Sequence, residues 1–483
     1  MCKLRFFIAA ALAVAGLVNT AAADLTGDIK RALSDKLLTR ARIGVEIVKL
    51  SDRADSCRIV FQQNPHLLLM PASNMKVLTT SAALHVLTPQ FRFRTMLVRH
   101  GNDLVLWGDG DPTLGDIELM DKIGWSQLAV FDDWADQLAK RNITSVANVV
   151  VDDSIFDTEF LHPRWAKHQF MSSGAQVGGL NFNTNLIEFL IRERRGGPAT
   201  WTTRPATSYV HVLSDSCMAG QSNAVILARE PGTNDVQLKG TVEKACDVSL
   251  TIHDPPMYAG TVFTDLLKSR GIQVSGTTLR DGSTRQQYAK ADPATKAQQW
   301  QVLCIFETPL PTAFNRCNKD SMNLYAEAFC KRLGATVGQG SWQNGTAVVG
   351  RFLKELGIPE SDFRLDDGSG LSRENATTAD AMVRVLMHNY FSSSKSAFLD
   401  SLPIGGVDGT LRKRFTGSLR GRVFAKTGFI ANVSALSGYL KTRAGDWYAF
   451  SILMNDIPDL SNSSIKPLQD DIVEALDKAA SGG

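Results

Sequence analysis

The sequence changes character twice along its length, and this pattern limits the folds that the chain can adopt. Residues 24 to 95 and 291 to 483 contain runs with the apolar spacing of helices, together with alternating runs typical of strands. Residues 96 to 290 consist of short β-rich runs separated by Gly, Asp, Asn and Pro. We therefore predict an α+β fold, in which an antiparallel sheet flanked by helices is interrupted by a β-rich insertion of one or two small domains.

The stretch "MPASNMKVLTTSAALHVL" at 70 to 87 places a serine and a lysine three positions apart at the start of an apolar run. The run predicts a buried helix that begins near Ser73, and residues i and i+3 share a helix face, so Lys76 Nζ can reach Ser73 Oγ. A neutral lysine can take the serine proton, and the free N–H groups of a helix start can stabilise an oxyanion. The alternative is a helix cap beside a solvated lysine.

Two other Ser-x-x-Lys pairs occur, Ser392 with Lys395 and Ser463 with Lys466. Both lie in polar sequence that predicts loops or helix caps. A short motif is only a hypothesis until its context agrees, and only the Ser73 pair precedes a helix-length apolar run. Ser73 is therefore the candidate nucleophile.

Two further motifs each occur once, in the order that a known catalytic set requires. Ser321-Met322-Asn323 begins a helical run, and Lys426-Thr427-Gly428 lies on a probable strand. Ser-x-x-Lys, Ser-x-Asn and Lys-Thr-Gly are the signature of class A β-lactamases and penicillin-binding proteins. Taken singly, the three residues Ser321, Lys426 and Gly428 also fit a helix cap, a strand lysine and a turn glycine, but their joint occurrence in order favours the catalytic interpretation.

Acyl transfer gives each of these residues a task. We expect Lys426 to lower the pKa of Lys76 as a second cation, and to bind a substrate carboxylate. We expect Ser321 to relay a proton to the leaving amine and the Asn323 amide to bind the peptide carbonyl of the substrate. The Thr427 hydroxyl would donate to the substrate carboxylate, and Gly428 would let the substrate approach the strand closely. The backbone N–H of Phe429 would donate to the oxyanion.

Composition and targeting signals restrict the compartment and the partners. Lys3 and Arg5, an apolar run and "AAA" before Asp24 read as a cleaved secretory signal at 1–23, which predicts a periplasmic protein without a stable membrane anchor. Without that segment, 50 of the 52 Lys and Arg remain against 49 acids, so no nucleic-acid partner is expected. No CxxC, HExxH or GxSxG occurs, and we expect no cofactor and no metal.

Six cysteines remain after the signal: Cys57, Cys217, Cys246, Cys304, Cys317 and Cys330. In an exported protein an even number makes disulfides possible, although the sequence does not fix their pairing. Cys217 and Cys246 both lie in the β-rich insertion, and we predict a disulfide between them.

The sequence resembles the D-alanyl-D-alanine carboxypeptidase/endopeptidase group of class C low-molecular-mass penicillin-binding proteins, the serine peptidases similar to penicillin-binding protein 4. The resemblance covers nearly the whole mature chain. Besides the three motifs, it rests on "RLDDGSGLSRENATT" at 364 to 378, "LPIGGVDGTLRKRF" at 402 to 415 and "AKTGFIANVSALSGYL" at 425 to 440. That family inserts extra domains between its first two motifs, which implies a catalytic domain at 24–95 and 291–483 around inserted domains at 96–290.

The resemblance implies a periplasmic D,D-peptidase that forms an acyl-enzyme on Ser73, with peptidoglycan stem peptides as substrates and β-lactam antibiotics as acylating inhibitors. It further implies that Arg373 lies near the substrate and that Asp152 meets a diaminopimelate amine; the alternatives are a surface arginine and a turn aspartate. Phe429 follows the Lys-Thr-Gly motif where many relatives have a small or hydroxylated residue. A non-catalytic wall-binding or scaffolding protein of the same fold and a β-lactamase are the competing functions.

Overall fold

The computed structural model describes residues 25–194, 196–458 and 462–481, so the predicted signal peptide at 1–23 lies outside the described residues. Contacts within the chain divide it into two compact units. The first comprises Met1–Pro89, Phe314–Met322 and Thr346–Gly483; the second comprises Gln90–Ala313 and Asn323–Gly345.

The first unit is built on a five-stranded antiparallel sheet, as predicted. Its strands, in spatial order, are Val423–Ile430, Val433–Lys441, Trp447–Asn455, Arg42–Lys49 and Arg58–Gln63. The chain therefore places the strand that carries Lys-Thr-Gly at one edge of this sheet. The alternating runs "RIGVEIVKL" and "CRIVFQQNP" predict a pair of N-terminal strands, and "GRVFAKTGFI", "VSALSGYLKT" and "DWYAFSILMND" predict three C-terminal strands; both predictions are confirmed.

Helices cover both faces of this sheet. Helix 25–33 and helix Asn462–Ser481 pack on one face against inward residues such as Val45. Gly44, the next residue along the same strand, faces Ala379 on the opposite face. That face holds helices Met75–Leu87 and Ala379–Phe391. Smaller elements complete the unit: helix Lys395–Ser401 and the paired strands Phe363–Arg364 and Ala376–Thr377.

The second unit holds three larger sheets. A mixed five-stranded sheet consists of Thr278–Arg280, Val149–Asp152, Asp103–Trp107, Arg92–His100 and Trp300–Pro309. Two three-stranded sheets consist of Ala224–Arg229, Asp235–Val242 and His211–Ala219, and of Cys246–Thr251, Leu186–Arg192 and Thr200–Arg204; Ser145–Val146 pairs with Gln273–Val274. The helices are Ile117–Lys122, Ala129–Lys140, Pro255–Ser269, Thr284–Lys290, Pro293–Gln299 and Asn323–Gly334, and helices Leu310–Lys319 and Trp342–Glu355 contribute residues to both units.

The boundaries of the second unit differ from the predicted insertion at 96–290. Strand Trp300–Pro309 pairs along its length with Arg92–His100, so the sheet extends beyond both predicted ends. Helix Asn323–Gly334 also belongs to this unit, where Tyr325 OH donates to Asp116 Oδ2 at 2.5 Å. The local sequence pattern does not show that strand Trp300–Pro309 and helix Asn323–Gly334 belong to this unit. Strand pairing and a hydrogen bond between residues far apart in the chain leave no local sequence pattern.

The predicted disulfide between Cys217 and Cys246 does not form. All six cysteines within the described ranges are free thiols. Cys217 lies in strand His211–Ala219 of one three-stranded sheet, whereas Cys246 begins a strand of the other. The two side chains nevertheless lie near each other, since the charge of Cys246 is one cause of the raised pKa of Cys217, and both belong to or pack against the same buried cluster.

Candidate active site

Ser73 lies in the short 3-10 helix Ala72–Asn74, which leads directly into helix Met75–Leu87. The first ten residues of that helix are buried, which confirms the predicted buried helix. Lys76 is 0% exposed, and its Nζ lies 3.2 Å from Ser73 Oγ. The i and i+3 spacing thus brings the two groups within hydrogen-bond reach.

The loop at 366–375 fixes the position of Lys76. Its carbonyl at Ser369 accepts a hydrogen bond from Lys76 Nζ at 3.0 Å. The carboxylate of Asp367 organises the loop by accepting from the Gly370 N–H at 2.7 Å and the Asn375 amide at 2.8 Å. The sequence analysis used this segment only for its family resemblance and missed its role, because the contact with the lysine is made by a backbone carbonyl.

The backbone around the serine is strained. Ala72 has a φ of +46°, in the left-handed region that a non-glycine residue rarely adopts. A Cβ at Gly370 would collide with the Ala72 carbonyl, so a glycine is required there for the loop to approach. Strain of this kind persists where the surrounding structure enforces it, and it is common at functional sites.

Lys426 lies on strand Val423–Ile430 and is 0% exposed. Its Nζ donates to Ser321 Oγ at 2.8 Å and to the Thr427 carbonyl at 2.9 Å. Burial, and then the neighbouring charge of Lys76, hold the pKa of Lys426 well below its ordinary value. The two lysines are therefore buried and their charges interact, and the lowered pKa is that of Lys426; that Lys426 in turn lowers the pKa of Lys76 stays a prediction.

Ser321 is held in an unusual conformation beside this pair. Its φ is +59°, again in the left-handed region. The bond from Lys426 Nζ occupies an acceptor site on the hydroxyl and leaves its O–H available as a donor.

A cavity of about 320 Å³ in the first unit collects the hydroxyl groups of these motifs. Ser73, Ser321, Thr427, Gly428 and Phe429 all line it, whereas the two lysines are buried behind the hydroxyls. The full burial of Lys426 Nζ leaves it no exposed surface for a substrate carboxylate, so the direct contact expected from the sequence is not available in this arrangement.

Four further residues line the cavity, and the sequence analysis did not select them: Thr410, Arg414, Lys466 and Gln469. Thr410 Oγ1 accepts a hydrogen bond from Thr427 Oγ1 at 2.8 Å. Arg414 forms a 2.6 Å ion pair with Asp470. Burial and the charge of Arg414 lower the pKa of Lys466. Thr410 and Arg414 lie within the quoted "LPIGGVDGTLRKRF", so that segment carried a signal. Lys466 belongs to the Ser463 pair, whose polar sequence predicts a loop or helix cap, but it lies in helix Asn462–Ser481, and Gln469 on the same helix carries no motif.

Asn323 and Arg373 are the other two candidates that the sequence predicts for this site. Asn323 begins helix Asn323–Gly334 of the second unit, where its amide donates to the Ser173 carbonyl at 2.8 Å. Arg373 is exposed and donates to the Ala431 carbonyl at 3.0 Å, in the turn that follows Phe429.

The contacts of Asp152 are those of the turn aspartate rather than of a substrate ligand. The residue is 0% exposed. One carboxylate oxygen accepts from the Ser154 N–H and hydroxyl, and the other accepts from Thr284 Oγ1 at 2.6 Å and the Arg285 N–H at 2.7 Å. Both oxygens are thus engaged in the protein interior, and the predicted contact with a diaminopimelate amine finds no accessible carboxylate.

The D-Ala-D-Ala carboxypeptidase 3 (S13) family model matches residues 25–479. The chain belongs to this family. It is 31% identical over 463 residues to a D-alanyl-D-alanine carboxypeptidase of Actinomadura sp. (strain R39), covering 89% of this chain and 81% of that protein. It is 26% identical over 446 residues to the D-alanyl-D-alanine carboxypeptidase DacB of Haemophilus influenzae, covering 88% and 87%.

The crystal structure of penicillin binding protein 4 from Haemophilus influenzae superposes with a TM-score of 0.74 at 23% identity, covering 93% of this chain and 98% of that chain. The predicted fold class of this S13 peptidase is therefore confirmed, and so is the predicted class of enzyme, a serine-type D-Ala-D-Ala peptidase. Among the helices of the described ranges, none has both the length and the apolarity needed to cross a membrane.

Replacement of Gly428 tests how closely the strand must approach the serine. A Cβ at this position would lie 2.6 Å from the Pro71 carbonyl oxygen and 3.1 Å from the Asn74 nitrogen, on either side of Ser73. We expect Gly428→Ala to displace the serine and to slow acylation by a fluorescent penicillin, with a steric cost of about 1 to 3 kcal/mol in unfolding free energy.

Gly417→Ala is the matched control, because a Cβ there meets no atom within 4 Å. It should leave both the acylation rate and the melting temperature unchanged. Normal acylation by the Gly428→Ala variant would show that the strand and the serine segment are not held in close contact.

Proposed function

We propose that this S13 peptidase hydrolyses D-Ala-D-Ala termini of peptidoglycan, or its D-Ala to diaminopimelate cross-links, or both, through an acyl-enzyme on Ser73. One observation carries the proposal: a cavity of the first unit contains two serine hydroxyls, each bonded to a buried lysine, with Lys76 Nζ at 3.2 Å from Ser73 Oγ and Lys426 Nζ at 2.8 Å from Ser321 Oγ. The named relatives, which are D-alanyl-D-alanine carboxypeptidases, support the choice of substrate.

The first step requires a neutral Lys76. Two buried ammonium groups repel each other and are poorly solvated, so it is unfavourable for Lys76 and Lys426 both to be protonated. The pair therefore releases a proton more readily than a solvated lysine does. Neutral Lys76 then accepts the proton of Ser73 Oγ as the oxygen attacks the carbonyl carbon of the penultimate D-Ala. The carbonyl electrons move to its oxygen, and the backbone N–H groups of Ser73 and Phe429 are the proposed donors to that oxyanion.

The second step expels the leaving amine. Collapse of the tetrahedral intermediate breaks the C–N bond, and the nitrogen needs a proton to leave as an amine. Ser321 is placed for this role, because its hydroxyl lines the cavity and already accepts from Lys426 Nζ. As Ser321 gives its proton to the nitrogen, the proton that Lys76 took from Ser73 replaces it, so Ser321 is a hydroxyl again and Lys76 is neutral again. Lys76 can then take a proton from water, whose oxygen attacks the Ser73 ester, and the same proton returns to Ser73 Oγ as the product acid leaves.

Residues that line the cavity are proposed to bind the substrate carboxylate. Thr427 and Thr410 supply hydroxyl groups, and Lys466 and Arg414 supply positive charge. The burial of Lys426 supports an indirect contribution from that residue, through its field and its bond to Ser321. Arg373 contacts the turn after Phe429, and we assign it to the rim of the same region.

Cleavage of purified muropeptides tests the proposal. Incubation with monomeric pentapeptide muropeptides should release free D-Ala, and incubation with cross-linked dimers should give monomers; chromatography and mass spectrometry measure both. The periplasmic location that we propose from the signal at 1–23 predicts that fractionation recovers a chain beginning near Asp24. A folded enzyme that cleaves neither substrate would support a scaffolding role, and rapid turnover of benzylpenicillin would support a β-lactamase.

A further inference from the structure

A cluster of side chains that could bind a metal ion lies in the first unit and takes no part in the proposed reaction. His66 Nδ1 and one carboxylate oxygen each from Asp362 and Asp380 all lie within 4.8 Å of one another. They come from different segments: His66 follows the strand Arg58–Gln63, Asp362 ends the short 3-10 helix Glu360–Asp362, and Asp380 lies in the first turn of helix Ala379–Phe391. Metal sites are commonly built in this way, from single ligands on separate elements.

The two aspartates are largely buried, at 6% and 8% exposure, whereas the side chain of His66 is 63% exposed. His66 Nδ1 lies 3.1 Å from Asp362 Oδ2, and Arg384 lies 2.8 Å from Asp380 Oδ2. Asp380 is therefore paired with Arg384, and Asp362 with His66, which carries a positive charge only when it is protonated.

Glu46 provides an independent observation that points to a ligand. It is 4% exposed and makes no hydrogen bond or ion pair with any residue of the described ranges. Its strand, Arg42–Lys49, turns Gly44 toward Ala379, and the side chain of Glu46 has the same parity, so it faces the start of the same helix. The charges of His66 and Arg384 act on this carboxylate, and that of Asp380 opposes it. Three carboxylates, Glu46, Asp362 and Asp380, thus lie near one permanent cation, and a metal ion would offset the excess negative charge.

A cavity of about 580 Å³ connects these observations. Glu46 and Asp380 both line it, together with Arg384, His388 and Cys57, and its remaining walls are mainly apolar. The cavity offers one approach for an ion to the carboxylates, and the exposed ring of His66 offers another.

We propose that His66, Asp362, Asp380 and Glu46 form a binding site for a divalent transition-metal ion, with Zn²⁺ as the preferred ion. One imidazole nitrogen and three carboxylates match the nitrogen and oxygen ligands of Zn²⁺, whereas Ca²⁺ takes oxygen ligands alone. Zinc bonds of about 2.0 to 2.2 Å require the donors to close in around the ion, and the solvent-exposed His66 ring is free to rotate toward it. The ion would join the segment leading to Ser73 to helix Ala379–Phe391.

Equilibrium dialysis of the metal-stripped full chain against Zn²⁺, Mn²⁺ and Ca²⁺, with metal analysis by mass spectrometry, tests the proposal. We expect one Zn²⁺ per chain, weaker binding of Mn²⁺, little binding of Ca²⁺, and a higher melting temperature with Zn²⁺. His66→Ala, a change of an exposed residue that should fold normally, and the isosteric Glu46→Gln should each weaken Zn²⁺ binding at least about tenfold.

Two control variants make the result specific. His211→Ala removes another exposed histidine that contacts an aspartate, at 3.1 Å from Asp235, and should bind Zn²⁺ as the wild type does. Cys57→Ser removes the thiol of the neighbouring cavity and should also bind normally. The proposal is overturned if the wild type binds no Zn²⁺, if His66→Ala and Glu46→Gln bind it normally, if Ca²⁺ binds as tightly, or if binding depends on Cys57.

Discussion

Ser73→Ala is expected to abolish both peptide hydrolysis and labelling by fluorescent penicillin, with a loss of at least about 10⁴-fold in rate. The loss follows from the chemistry, because no acyl-enzyme can form without the Ser73 oxygen, which lies 3.2 Å from Lys76 Nζ. Mass mapping of the labelled wild type should place the adduct on Ser73. The fold should survive, since the substitution removes a single hydroxyl at the mouth of a cavity.

Ser392→Ala is the matched control, because Ser392 also begins a Ser-x-x-Lys sequence. Its hydroxyl donates to the Asn389 carbonyl at 3.0 Å at the end of helix Ala379–Phe391, so it caps the helix. The variant should label as the wild type does. An adduct on Ser392 or Ser463, or labelling that persists in Ser73→Ala, would refute the assignment of the nucleophile.

The sequence predicted those parts of the site that depend on local spacing. The distance between Ser73 and Lys76 follows from helix geometry, and the apolar run after Ser73 predicted the burial of that helix. The order of the motifs predicts that Lys426 lies near this pair, and the charge of Lys76 does act on Lys426.

Features that depend on tertiary packing were missed. The carbonyl of Ser369 holds Lys76, and a backbone acceptor has no residue-type signature. Glu46 alternates with apolar neighbours in "RIGVEIVKL", which predicts a solvent-facing side chain on a half-buried strand. The sheet is covered by helices on both faces, so Glu46 is buried instead. Burial of the second face of a sheet depends on elements far away in the chain, and strand periodicity does not report them.

Lys426→Ala should lower the rates of penicillin acylation and peptide hydrolysis by roughly 30- to 150-fold. Its bond to Ser321 Oγ at 2.8 Å is charge-assisted when the amine is protonated, and loss of such a bond costs about 2 to 3 kcal/mol in transition-state stabilisation. Ser321 would also lose the partner that holds it at a φ of +59°. The burial of Lys426 behind the hydroxyls means that this loss arises without direct contact between the lysine and the substrate.

The same variant should change the pH dependence in a defined direction. The charges of Lys76 and Lys426 repel each other, which is one cause of the lowered pKa of Lys426, and repulsion acts equally on both partners. In the wild type the pair therefore gives up a proton at a lower pH than a single lysine in the same site. Without Lys426, we expect Lys76 to keep its proton to higher pH. The neutral base then forms only at higher pH, so the acidic limb of the acylation profile shifts to higher pH.

Acylation rates measured against pH, with melting temperatures to establish folding, separate this mechanism from a purely structural role. Lys441→Ala is the matched control, since Lys441 ends the neighbouring strand Val433–Lys441 and is exposed. It should leave both the rate and the profile unchanged. Lys426→Arg keeps a charge but replaces a compact amine by a broad planar group in a fully buried position, and it should not restore the rate. A folded Lys426→Ala variant with a normal rate and an unshifted acidic limb would contradict this mechanism. It would mean that Lys426 has only a structural role in its strand and that Lys76 is deprotonated independently of Lys426.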